Sequence, residues 1–240
     1  MLGWIGASSS MLPISRTRGE GIAILALPLS AALLVAADPS WAGKPISQWR
    51  PEDAIQVLAD SPWVKHPAPA VLPERGEAQR RDGGKMGGAG KRAGFGQLDD
   101  SFLAGSARRG TLEVRWESAT PVRAAEILAG EGGAPDWEGD YYAVAVYGVP
   151  GITPPVQKGL RGELGQTTFL KRSGKADLKP ARVEIALPGA RSARILYLFP
   201  RSAGIGPEDK YVEFVSQIGR IYIAQIFEIV EMQFHGKLEL

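Results

Sequence analysis

The chain has 240 residues, a formal net charge of +2, no cysteine and two histidines. The missing thiols exclude disulfides, thiolate metal centres, iron–sulfur clusters, a cysteine nucleophile and a lipid anchor on a cysteine, and His66 and His235, far apart in sequence, leave little from which to build a zinc site. A charge this close to neutral directs the whole molecule neither to nucleic acid nor to an anionic membrane.

Arg16 and Arg18 precede an almost wholly apolar run from Gly21 to Ala37, and small residues follow. Basic, apolar and small residues in that order make a secretory signal peptide. Cleavage fits after Ala37, with Val35 and Ala37 at the small-residue positions, or after Ala42, with Ser40 and Ala42 there. The second is preferred, because Pro39 would otherwise stand just inside the mature end, so the signal peptide is placed at 1–42. The apolar run falls short of the ~20 residues that span a bilayer, and Pro28 interrupts it. No permanent membrane anchor is expected after processing, and the protein is expected in the periplasm or outside the cell.

Residues 43–66 form an N-terminal helical segment. Pro51 sits at a first helical position with Glu52 and Asp53 in the first turn, where a proline forfeits no hydrogen bond and carboxylates suit the positive helix end. Ile55, Leu58 and Ala54 supply the apolar stripe, and Pro62 stops the helix at Asp60. Trp49 and Trp63 flank it. They are candidates for contact with a partner, or they clamp the helix onto the rest of the protein. Residues 67–110 are dominated by glycine and proline, with sparse apolar residues and no period, which predicts a flexible linker.

A β-rich domain is expected over 111–240. Thr111 to Glu117 alternates, with Leu112, Val114 and Trp116 on one face and Glu113, Arg115 and Glu117 on the other. Thr120 and Pro121 open a short helix carrying Ala124, Ala125, Ile127 and Leu128, and Gly130 closes it. Strands follow at Tyr141–Tyr147, Thr167–Lys171, Arg182–Leu187, Ile195–Phe199, Tyr211–Ile218 and Ile221–Met232, with a turn-rich stretch from Val149 to Pro155. The unbroken apolar run Ile195–Phe199 predicts a strand covered on both faces. The same is expected of Ile221–Met232, with Ile223 and Phe227 on one face and Ala224 and Ile226 on the other. One strand, one helix and then a run of strands point to a mainly β fold. It is read as an antiparallel β-sandwich-like domain with one short inserted helix and a short N-terminal helix; the alternative is an α+β fold with a single antiparallel sheet.

Two stretches, WRPEDAIQVLADSPW and EFVSQIGRIYIAQIFEIVEMQFHGKLEL, resemble an uncharacterised family of exported bacterial proteins, and the resemblance extends over WESATPVRAA, YYAVAVYGVP and ILYLFPR. It implies export and a single β-rich domain. It implies no activity, cofactor or site residue, and the Gly- and Arg-rich linker lies outside it.

Several chemistries can be tested on the residues. GKMGGAGKR, from Gly84 to Arg92, lacks the glycine six places before Lys91 and the hydroxyl after it that a phosphate loop needs. Asp136, Glu138 and Asp140 alternate like calcium ligands, but Tyr141 and Tyr147 stand where an EF-hand requires glycine and glutamate; they remain weak metal candidates. Glu113 with Glu117, or Glu228 with Glu231, are carboxylate pairs of the kind that glycoside hydrolysis uses, yet on alternating strands they read as the wet face. Neither histidine has a nucleophile elbow near it.

No catalytic residue and no cofactor are therefore assigned. The expected function is an exported, non-enzymatic binding or structural module of the cell envelope. Its partner would be an unknown envelope protein or glycan, with no specific nucleic acid. One alternative is a carboxylate-dependent envelope glycan hydrolase. Another is a binder of anionic polymer through Arg80, Arg81, Lys85, Lys91, Arg92, Arg108 and Arg109.

Overall fold

Two antiparallel sheets face each other in the computed structural model, which describes residues 39–72, 112–131, 137, 139–150, 152, 154–187 and 192–240. The first sheet takes β1 (Val64–Lys65), β3 (Glu113–Trp116), β4 (Tyr141–Pro150), β7 (Ser192–Pro200) and β6 (Arg182–Ala186) in that spatial order. The second takes β2 (Ala70–Val71), β9 (Ile221–Glu228), β8 (Tyr211–Ile218) and β5 (Thr168–Arg172). A small hairpin of β10 (Gln233–Phe234) and β11 (Lys237–Leu238) follows. The fold is mainly β and sandwich-like.

The inner faces follow from period-2 alternation. Val114, Trp116, Val144, Val146, Ile195, Tyr197 and Phe199 of one sheet meet Val212, Phe214, Ile218, Ile221, Ile223 and Phe227 of the other, all essentially inaccessible to solvent. Trp116 meets Phe227 edge-on at 5.4 Å, and Tyr197 meets Phe214 in the same way at 5.5 Å. One polar thread crosses this core. Tyr197 Oη lies 3.0 Å from Ser216 Oγ, which lies 2.9 Å from Thr168 Oγ1, so these buried hydroxyls satisfy one another.

Residues 39–72 belong to this core. β1 extends the first sheet and β2 the second. Between them and residue 39 runs α1 (Pro51–Ala59). Trp41, Trp49, Trp63 and Phe234 form an aromatic cluster with ring centroids 5.6–6.4 Å apart. The helix starts where the proline and acids predict. Its buried stripe is Ala54, Val57 and Leu58, whereas Ile55 is 60% exposed; i, i+3, i+4 spacing from Ala54 selects Val57 rather than Ile55.

Among its described residues the β-rich part carries two α-helices rather than the single one expected. α2 (Thr120–Ala129) ends at Gly130, whose φ of 72° lets the chain turn back. α3 (Pro154–Thr167) reaches both β6 and β8, burying Leu160 and Leu164. It escaped prediction because its apolar face is two leucines four residues apart among Gly159, Gly162 and Gly165.

β9 is covered on one face, not on the two expected. Its inner residues Ile221, Ile223 and Phe227 are fully buried, but Ala224 is exposed and Ile226 is 46% exposed. The strand ends at Glu228, followed by a turn through Ile229–Met232. Strands covered on both faces are β4 and β7 instead. Beyond their inner faces, Ala143, Ala145, Leu196 and Leu198 form a second apolar cluster, packed by Trp137, Tyr141 and Tyr147. The continuous run Ile195–Phe199 thus has the two-sided cover it predicts.

Candidate functional site

The outer face of the first sheet carries the row Glu113, Arg115 and Glu117, which alternation assigns to water. The structure overturns that. Arg115 is 6% exposed and Glu117 fully buried. α2 lies over them and directs Glu126, 2% exposed, at the row. In register Glu113 faces Tyr147 and Arg115 faces Ala145. The pairing of β4 with β7 shifts between Val146 and Val149, and Gly148 there has φ 76°. Tyr147 stands on the outer face by the same alternation as Ala143 and Ala145 and reaches the carboxyls from there.

Four carboxyls and one phenol surround one guanidinium. Arg115 bonds Glu113 through Nε, Glu126 Oε1 at 3.2 Å and Glu131 Oε2 at 2.7 Å through Nη1, and it stacks over the Tyr147 ring at 4.5 Å. Tyr147 Oη donates to Glu117 Oε1 at 2.5 Å and lies 3.2 Å from Glu126 Oε1. The αL residue Gly130 positions Glu131, whose amide bonds the Glu126 carbonyl at 3.0 Å.

Burial pushes the Glu117 carboxyl up to about 8, and the charge of Glu126 adds to the rise. Glu117 Oε2 and Glu126 Oε2 are buried and accept no hydrogen bond. A proton on Glu117 turns an acceptor into a donor toward Glu126, and that hydrogen bond is a further cause of the rise. Burial likewise raises the Tyr147 phenol, as do the charges of Glu117 and Glu126, so it remains a donor. Burial opposes the Arg115 charge, but its bonds to Glu113 and Glu131 outweigh that and keep it protonated.

Beside this network, between α1 and α2, lies a recess of ≈ 300 Å³. Ile55, Leu58, Ala59 and Ala129 form apolar walls, and Glu113, Arg115, Glu131 and His66 supply polar edges. His66 Nε2 hydrogen-bonds the Ala59 carbonyl at 2.9 Å. The same two helices expose Ile55, Ile127 and Leu128. Glu117 and Glu126 do not line the recess. The paired carboxyls are therefore under cover and outside this recess.

The residues singled out from sequence are scattered. Trp49 is 6% exposed and Trp63 0%, and both rings are packed by Trp41, with Trp49 also against Phe234; Trp63 Nε1 donates to the Glu239 carbonyl at 2.8 Å. Asp140 is exposed and pairs with Arg201 at 3.2 Å, whereas Asp136 and Glu138 lie outside the described residues. So do the basic residues from Arg80 to Arg109. Glu228 and Glu231 are exposed around the turn after β9 and do not line the recess. His235 Nε2 bonds the Lys44 carbonyl at 3.1 Å. Among the described residues no group of three His, Asp or Glu side chains is placed to hold a metal ion, and no helix is long and apolar enough to cross a membrane.

Sequence reasoning missed Arg115, Glu126, Glu131 and Tyr147. The signal was present in α2: counting i, i+3, i+4 from Val122 places Ala125 and Glu126 on the buried stripe. An acid there demands partners on the strand beneath.

Fold and site together define a two-layer antiparallel sandwich with a helix-covered polar network and an open recess beside it. No protein-family model, no curated protein and no solved structure matches the chain.

Proposed function

We propose that the protein is an exported, non-enzymatic binding module of the cell envelope, and that the recess between α1 and α2 is where it contacts its partner. The observation that carries this reading is the contrast between the two polar regions. The convergent carboxyls Glu117 and Glu126 are sealed and internally bonded. The recess is open, has apolar walls and presents Glu113 and Glu131 around a guanidinium that they already neutralise. Apolar walls with a few oriented polar groups suit binding. Two acids, Glu113 and Glu131, beside one Arg115 give the edge an excess of carboxyl groups, which fits a lysine or arginine side chain of an envelope protein. The stem of such a side chain lies along apolar wall while its charge meets the acids.

The competing reading, glycan hydrolysis by paired carboxyls, requires both to reach one sugar, and Glu117 is fully covered. The binding reading is tested by a photo-crosslinking residue at position 55 in intact cells, with position 224 on the opposite sheet as control. An adduct from 55 and none from 224 is expected, and it should disappear when Glu113 and Glu131 are both changed to glutamine. Absence of an adduct from 55 overturns the assignment. Release of soluble fragments from purified cell-wall glycan, abolished by Glu117→Gln, would establish the hydrolase instead.

A further inference from the structure

We infer that the leader is removed at the Ala37–Asp38 bond rather than after Ala42, so that Trp41 remains in the core of the mature protein and Ser40 remains as a hydrogen-bond partner of the buried Asp53. This rests on the export reading above. In sequence both positions satisfy the small-residue rule, with Val35 and Ala37 before one bond and Ser40 and Ala42 before the other. The fold separates them.

Trp41 is 4% exposed. Its ring lies 5.8 Å from Trp63, 6.2 Å from Trp49 and 6.4 Å from Phe234, so removing it uncovers three aromatic rings at once. The residues around it are folded as part of the domain: Ala42 N donates to the Pro39 carbonyl at 3.0 Å, and Lys44 N to the Trp41 carbonyl at 3.1 Å. Ser40 Oγ donates to Asp53 Oδ1 at 2.6 Å. Asp53 is 1% exposed and also accepts from the Arg50 amide at 3.0 Å and from Lys44 Nζ at 2.9 Å. The Ser40 hydroxyl, then the Arg50 amide and Lys44, hold this carboxyl well below the ordinary aspartate range. Cleavage after Ala42 discards the first of these partners. Cleavage after Ala37 leaves Ser40, Trp41 and all of these contacts in the mature chain. The step is an ordinary hydrolysis by a membrane-bound leader peptidase. Water adds across the peptide bond, leaving a carboxylate on Ala37 and an ammonium group on Asp38.

The test is the intact mass of the processed protein, recovered from the envelope of cells expressing the full chain. A mass beginning at Asp38 is expected. Ala42→Lys should leave the same cleavage point, and Ala37→Lys should accumulate precursor. A mature chain beginning at Gly43, or a block of processing by Ala42→Lys, overturns the inference while leaving export intact. An uncleaved chain in the cytoplasm overturns both this inference and the export reading.

Discussion

Replacing Glu117 by glutamine removes that residue's own proton equilibrium and leaves its shape. The amide oxygen still accepts from Tyr147 Oη, and the amide N–H offers Glu126 the donor that a protonated Glu117 offers. In the wild type the folded-state value is raised, so the folded protein holds this proton more tightly than the unfolded chain does. That contribution is fully present below the ordinary value and is lost as the pH rises through the folded value. The interval from 4.5 to about 8, at about 1.4 kcal/mol per pH unit, amounts to about 5 kcal/mol. Wild-type stability should therefore fall relative to Glu117→Gln across this interval, and the difference should level off above it. The variant is expected to be the more stable protein at neutral pH, the reverse of what most substitutions of buried residues do. Urea unfolding followed by tryptophan fluorescence, at pH values from 5 to 9, reads the difference directly, because every other titrating group is common to both proteins. Parallel curves over that range, or a variant less stable at pH 8 than at pH 5 by as much as the wild type, would refute the reasoning.

Three further outcomes follow from the packing. Phe227→Ala removes a fully buried ring from against Trp116 and should cost ~3–5 kcal/mol in chemical denaturation, whereas Ile226→Ser, on the open face of the same strand, should stay within ~0.5 kcal/mol; equal losses would mean that β9 is covered on both sides. Trp41→Ala in the full chain should cost ~3–5 kcal/mol, and a loss below ~1 kcal/mol would show that residues near position 41 lie outside the cooperative core. Deleting Glu74 to Gln97 should change the unfolding free energy by no more than ~1 kcal/mol, since loop length enters logarithmically; a loss of several would show that the segment is packed.

The strands were legible because their signals are local. Leu112, Val114 and Trp116 alternate with charges, and Ile195 to Phe199 runs without a polar break. The unbroken run matches the two-sided burial observed, and the alternation matches on its apolar face, where Leu112, Val114 and Trp116 are buried. Ile221 to Met232 misled because apolarity is not burial: Ala224 and Ile226 sit on an outer face that the described residues leave open, and β-branched residues favour strands even where one side is wet. α3 was illegible for the opposite reason. Its glycines weaken helix propensity, and its position is set by Leu160 and Leu164 against two sheets, which is tertiary information.

The network around Arg115 lies between these cases. Alternation states that two faces of a strand differ; it does not state that the polar face meets water. Glu113, Arg115 and Glu117 would look the same on a solvated sheet and under a helix. The discriminating residue is on the covering element. Val122, Ala125 and Ala129 define the inward stripe of α2, and Glu126 stands in it. An isolated carboxylate in that position would be costly to bury. Its partners had to include a cation and a donor, and Arg115 and Tyr147 supply both. With Glu117 also facing inward, one cation and one phenol serve two buried carboxyls. Protonating one acid is then less costly than charging both. Read in that order, from the helix stripe down to the strand, the buried pair can be deduced before any distance is measured.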